Sequence, residues 1–208
     1  MTALDNVQGF TSDPQGVGND YLARVFILAG KVASQDQAKG IFSSVRVQAT
    51  GDSVIFTGCD TYRLVEITVD MPQVGEWLVF PNAKELVKSA SMVKGQGTVS
   101  FIADSDGKVT VSSAKGSVNV TGCGFNNTYP NVDLLFDYST KPEKWPVASV
   151  KVNGDLLGET LSLMSDLVDY KGRSSTGGAV TIDRLLPHVS LSAEREGISV
   201  RAILMPMK

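Results

Sequence analysis

The residues that most often carry bond chemistry are scarce in this sequence. Its 208 residues hold one histidine and two cysteines. The histidine, His188, follows a proline in a strand-like stretch and reads as a surface or turn residue rather than a base. Cys59 and Cys123 lie far apart and, with a single histidine, lack the spacing of a zinc site. Two cysteines do not make a disulfide framework, so a reducing compartment is the simpler reading, with a Cys59–Cys123 bridge left open. There is no Gly-rich phosphate loop, no G-x-S-x-G elbow and no H-E-x-x-H. Gly95-Gln96-Gly97 does not open a helix and reads as a turn. The expectation is a protein with no catalytic residues, no metal and no cofactor.

Other absences narrow the class further. No apolar run approaches the ~18 residues of a membrane helix. The first twenty residues contain no Lys or Arg and no apolar stretch, so no secretory signal is expected. Net charge is −3, so the overall basic footprint of a nucleic-acid binder is missing, although a local basic stripe is compatible with that figure. Hydrophobic residues at 42% and charged residues at 20% are the balance of an ordinary globular chain.

What is present is a repeated pattern. Residues 1–18 are small, polar and turn-prone, and read as an N-terminal arm with a short strand around Phe10. From Asn19, a helix is predicted because Leu22, Val25, Phe26, Ala29, Val32 and Ala33 recur at the spacing of one helical face. Arg24, Lys31 and Gln35 fall on its other side. Strands are expected at 41–49, 54–58, 61–69 and 76–81. A second helix starts at Asn82, with Ala83, Leu86, Val87, Ala90 and Val93 on its apolar face and Lys84 and Lys88 opposite. Strands follow at 98–103, 108–113 and 117–121. Residues 124–147 carry three prolines and read as a linker. A third helix follows Asn153, lined by Leu157, Leu161, Met164 and Val168, with strands at 180–186, 189–193 and 198–205. FPNAKELV (80–87) and KVNGDLLG (151–158) share an asparagine cap and a leucine at one offset. The unit of strand, helix and three strands thus occurs about three times. It predicts an α+β protein with antiparallel sheets outside and helices inside.

Four segments then suggest a family. TGCDTYRLVEI (57–67) resembles the ATDGHRLA segment of bacterial DNA polymerase III beta subunits, the DNA sliding clamps. LVFPNAKELVKSA (78–90) resembles their V-x-P-x-K-x-L strand–helix element. NTYPNVDLLF (127–136) resembles their inter-domain G-x-F/Y-P-D-Y, and ILMPMK (203–208) their terminal VVMPMR. The order matches the family's order. Tyr62 stands where the family usually has His, and Cys59 where it has Thr.

The resemblance implies the DNA-clamp fold, with one full clamp-like domain at 19–123 and a shortened one at 148–208. It implies a processivity factor that encircles duplex DNA as a homo-oligomeric ring, tethers a replicative polymerase, is opened by a clamp loader, and does no bond chemistry. It also implies a cytoplasmic protein of bacterial or phage origin. The family's ring has twelve inner helices. Three helices per chain would make a tetramer, and two full-sized domains per chain a trimer.

Arg24, Lys31, Lys84 and Lys88 are the candidates for sequence-independent contact with DNA phosphates. The polar face of the third helix offers Asp155, Glu159 and Asp166 instead. For a partner peptide, the matched segments supply Cys59, Thr61, Tyr62, Arg63 and Leu64 from the first. They add Pro130 and Leu135 from the inter-domain segment, and Ile203, Met205, Pro206 and Met207 from the tail. Methionines suit a surface that repacks around different ligands. The alternative class is a clamp-fold interaction or assembly module that does not encircle DNA. An enzyme built on Asp60 and Arg63 is a weaker rival, because their spacing suits a turn in which the carboxylate accepts backbone N–H groups.

Overall fold

The computed structural model describes residues 8–12, 19–71, 76–95, 98–104, 108–122, 129–132, 152–168, 178–181, 189–195 and 197–205. The elements are β1 (Gln8–Ser12), α1 (Asn19–Val32), a 3-10 segment (Gln37–Ser43), β2 (Arg46–Thr50), β3 (Ser53–Cys59), β4 (Arg63–Asp70), β5 (Glu76–Val79) and α2 (Ala83–Val93). They continue with β6 (Val99–Ala103), β7 (Val109–Ser113), β8 (Gly116–Val120), α3 (Gly154–Val168), β9 (Gly178–Thr181), β10 (Val189–Arg195) and β11 (Ile198–Leu204). The architecture is α+β, with helices laid on antiparallel sheets.

Two sheets form, in the orders β1-β6-β7-β8 and β5-β2-β3-β4-β11-β10-β9. The chain repeats one unit: a helix followed by a three-stranded meander. The first two units exchange strands reciprocally. β1, ahead of α1, pairs with β6 of the second unit, and β5, ahead of α2, pairs with β2 of the first. The third unit joins the first through antiparallel β4–β11, which sets Glu66 opposite Arg201. An Arg201–Glu66 ion pair at 2.6 Å fastens that register, with the carboxylate buried.

Helical period decides what is buried. On α1, Leu22, Val25, Phe26, Ala29 and Val32 are fully buried. Phe26 reaches both sheets, with its ring 5.8 Å from Phe56 on β3 and 6.1 Å from Phe101 on β6. α2 is started by Asn82, whose side-chain carbonyl accepts from the Glu85 N–H at 3.1 Å. It stops at Gly95, where φ is +71°. α1 and α2 touch at Gly30, where an added Cβ would lie 2.5 Å from Val87 Cγ2 and 2.9 Å from the Ala83 carbonyl oxygen. β3 meets α1 at Gly58, where a Cβ would lie 2.0 Å from the Ala29 carbonyl oxygen. Both contacts exclude any side chain.

Two local expectations are corrected. Residues 41–43, read as the start of a strand, belong to the 3-10 segment. Asp36 caps that segment by accepting from the Ala38 N–H, and Gly40 at φ +58° turns the chain, so the strand starts only at Arg46. On α3, Thr160, Met164 and Leu167 are buried and Leu157 is half-buried against the same core. Leu161, expected in the buried stripe, lies one helical step round from Thr160 and is 38% exposed.

Candidate functional site

The β3–β4 turn is built by Asp60. One carboxylate oxygen accepts the N–H groups of Tyr62 and Arg63, each at 2.9 Å, and the Asp60 N–H donates to the Arg63 carbonyl at 3.0 Å. This is the turn chemistry its spacing predicts. The Arg63 guanidinium is 7% exposed and carries three bonds. Its Nε lies 3.2 Å from Asp60, one terminal nitrogen 2.8 Å from Glu159 of α3, and the other 3.2 Å from the Lys31 carbonyl at the end of α1. Arg63 therefore ties the turn to two helices.

Three distant segments meet beside this turn. The β4–β11 register sets Ile203 opposite Leu64, and the Met205 N–H donates to the Tyr62 carbonyl at 2.8 Å. The Tyr129 hydroxyl donates to the Thr57 carbonyl at 3.0 Å, and its ring packs 5.7 Å from Phe80. These contacts hold Val132 against Cys59 and Leu64 and bring Pro130 to the same cavity. The result is an open apolar groove of about 310 Å³, lined by Phe42, Cys59, Thr61, Arg63, Leu64, Pro130, Ile203 and Met205. Met205, 39% exposed, stands at its mouth.

Seven expected residues thus line one groove. Tyr62 does not: it is 60% exposed and only its backbone contributes. Leu135, Pro206 and Met207 lie outside the described residues, as do Cys123 and His188. A strand over 41–49 gives Phe42 no place in the site, whereas the 3-10 turn carries it to the groove wall. Glu159 was read only as part of an acidic face, and nothing local marks it as the partner of a residue 96 positions earlier.

The one thiol that lines the groove is not activated. Burial, and then the Asp60 charge, push the Cys59 thiol up to about 12, so it stays protonated at neutral pH and is a poor nucleophile. Burial likewise pushes the Tyr129 hydroxyl up. Among the described residues, no three His, Cys, Asp or Glu side chains gather as a metal site, and no helix is long and apolar enough to cross a membrane.

The basic candidates separate. Lys31, Lys84 and Lys88 are exposed on α1 and α2. Arg24 is half-buried: it donates to the Asp166 carbonyl of α3 across a second cavity of about 230 Å³, shared with Ile27, Leu28, Lys94 and Leu163.

No family model matches the sequence, and no curated protein matches it. Solved structures do match in shape. A DNA polymerase III beta subunit from Thermotoga maritima superposes with a TM-score of 0.70 at 10% identity, covering 100% of this chain and 67% of that one. A sliding clamp from Pseudomonas aeruginosa bound to griselimycin gives 0.69 at 11%, covering 100% and 68%. The beta subunit from Streptococcus pyogenes DNA polymerase gives 0.56 at 13%, covering 97% and 65%. This chain has the sliding-clamp fold. In this clamp-fold chain the groove lies where the meander of the third unit joins that of the first.

Proposed function

We propose that this protein is a sliding clamp: a homo-oligomeric ring that encircles duplex DNA, slides without reading sequence, and holds a replicative polymerase by a short peptide seated in the apolar groove. The groove carries this reading. Segments around 59–64, 130 and 203–205 converge on it, and they come from stretches that resemble clamp sequences. An apolar trough with a few polar groups at its rim suits an extended peptide with large apolar side chains. Lys31, Lys84 and Lys88 are exposed for loose contact with phosphates. A clamp loader opens the ring, no reaction is catalysed, and the protein works in the cytoplasm.

Retention on DNA tests the ring. The protein is expected to stay on closed circular DNA and to leave after linearisation; equal behaviour on both forms overturns encirclement. Griselimycin, found on the P. aeruginosa clamp, is the probe for the groove. Ile203→Asp is expected to abolish its binding, and binding unchanged by that substitution overturns the groove assignment. The alternative, a clamp-fold assembly module that forms no ring, is favoured by two observations. Arg24 is committed to α3, and α3 exposes Asp155, Glu159 and Asp166. Failure of retention on circular DNA selects it.

A further inference from the structure

The helices of the second and third units align residue by residue from their caps, since Asn82 and Asn153 begin them with the same capping bond. Sheet-facing positions then correspond: Leu86, Ser89 and Val93 match Leu157, Thr160 and Met164. Of these six, all but the half-buried Leu157 are buried. A second set differs. Ala83, Val87 and Ala90 are the α2 residues on the side of α1: Ala83 and Val87 touch Gly30, and Ala90 is 3% exposed. Their counterparts are Gly154, Gly158 and Leu161. Nothing lies within 4 Å of a Cβ built on either glycine, and Leu161 is 38% exposed.

The sheet repeats this asymmetry. β5 closes the edge of β2, and β1 closes the edge of β6. The strand that corresponds to β2 and β6 in the third unit, β9, pairs with β10 and has no second neighbour among the described residues. Among the described residues, one helix face and one strand edge, covered in the first two units by each other, are therefore open together in the third. Open edges and open apolar faces are the usual sites of association.

We propose that a second copy of the chain completes the third unit, with α3 packing on α3 across a two-fold axis and the free edge of β9 taking a strand from that copy. The contact repeats an arrangement already present in the molecule, because the first two units meet through the same kind of face with reciprocal strand exchange. A true two-fold needs only that the third unit meet itself in that manner. Gly154 and Gly158, one turn apart, let the helices approach as closely as α1 and α2 do at Gly30. Leu161 then buries against its own copy. The inference rests on self-association in the reading above, but not on DNA being encircled.

Light scattering tests it. The wild type is expected to hold an even number of chains, and Leu161→Arg and Gly158→Arg, both at open positions, to halve the mass with the circular dichroism spectrum unchanged. In a Cys123→Ser background, Leu161→Cys is expected to form a disulfide-linked dimer on mild oxidation, while Ser91→Cys on α2 does not. A monomeric or odd-numbered wild type, or a mass that both arginine variants leave unchanged, overturns the proposal. DNA retention measured on the same samples separates the two ideas. An even-numbered assembly that Leu161→Arg splits, but that slips off circular DNA, keeps this contact and removes the ring. A retained assembly indifferent to Leu161→Arg does the reverse.

Discussion

α2 and α3 start from the same kind of cap and place the same positions on a sheet, yet one is enclosed and the other is open along one side. α2 lies between its sheet and α1, and its small residues Ala83 and Ala90 are buried. α3 has its sheet and the edge of α1, and leaves Leu161 in solvent. The unit therefore specifies how a helix sits on its meander, while a neighbouring unit decides whether the helix is sealed. Arg63 compensates for part of this deficit. It reaches from the first unit to Glu159 and adds a charge contact to the packing that holds α3 on its sheet.

The sharpest way to break the contrast is at glycine. Gly58→Ala would drive a Cβ into the Ala29 carbonyl, a backbone atom that cannot step aside, and is expected to cost about 3 kcal/mol or more, read from urea unfolding. Gly158→Ala, made in the Leu161→Arg background so that assembly does not intervene, is expected to stabilise by roughly 0.5–1 kcal/mol, because the site is open and alanine favours helix. Opposite signs for one chemical change would show directly that the first unit is enclosed at Gly58 while the third is open at Gly158.

Arg63→Ala comes next. It removes a guanidinium with three partners, leaves Asp60 without its charge partner, and is expected to cost roughly 3 kcal/mol. Proteolysis should then cut α3 before α1 or α2. Glu159→Gln touches only the half-exposed end of the same link and is expected to cost less than about 1 kcal/mol, with a small rise in hydrogen exchange confined to α3.

The smallest effect is a pH slope. The Cys59 thiol titrates at about 12 in the fold against 9.0 for a free thiol. Between those values the unfolded chain has lost a proton that the folded one keeps, so stability falls as pH rises above 9. Cys59→Val is expected to flatten that slope, measured as the urea midpoint from pH 8 to pH 10.

Legibility in the sequence followed the range of each interaction. The α1 face, the Asn82 and Asn153 caps and the Asp60 turn were all readable, because each depends on residues within about one or two turns of chain. So were seven walls of the groove, through the clamp-like segments rather than through composition. Less was readable wherever a distant partner overrode the local pattern. Arg24 was placed on a polar face, yet it sits half-buried against α3. Tyr62 lies within a matching segment, yet its side chain turns out to solvent while the residues on either side line the groove.

The sequence by itself determined the helices, the strand alternation, the turn at Asp60 and the threefold recurrence of one unit, since hydrophobic period and capping chemistry act locally. Only the tertiary structure decided that β11 pairs with β4, that Phe42, Pro130 and Met205 share a groove, and that Arg63 finds Glu159. Those outcomes depend on contacts between units far apart in the chain, where the identity of a side chain does not reveal which neighbour will cover it.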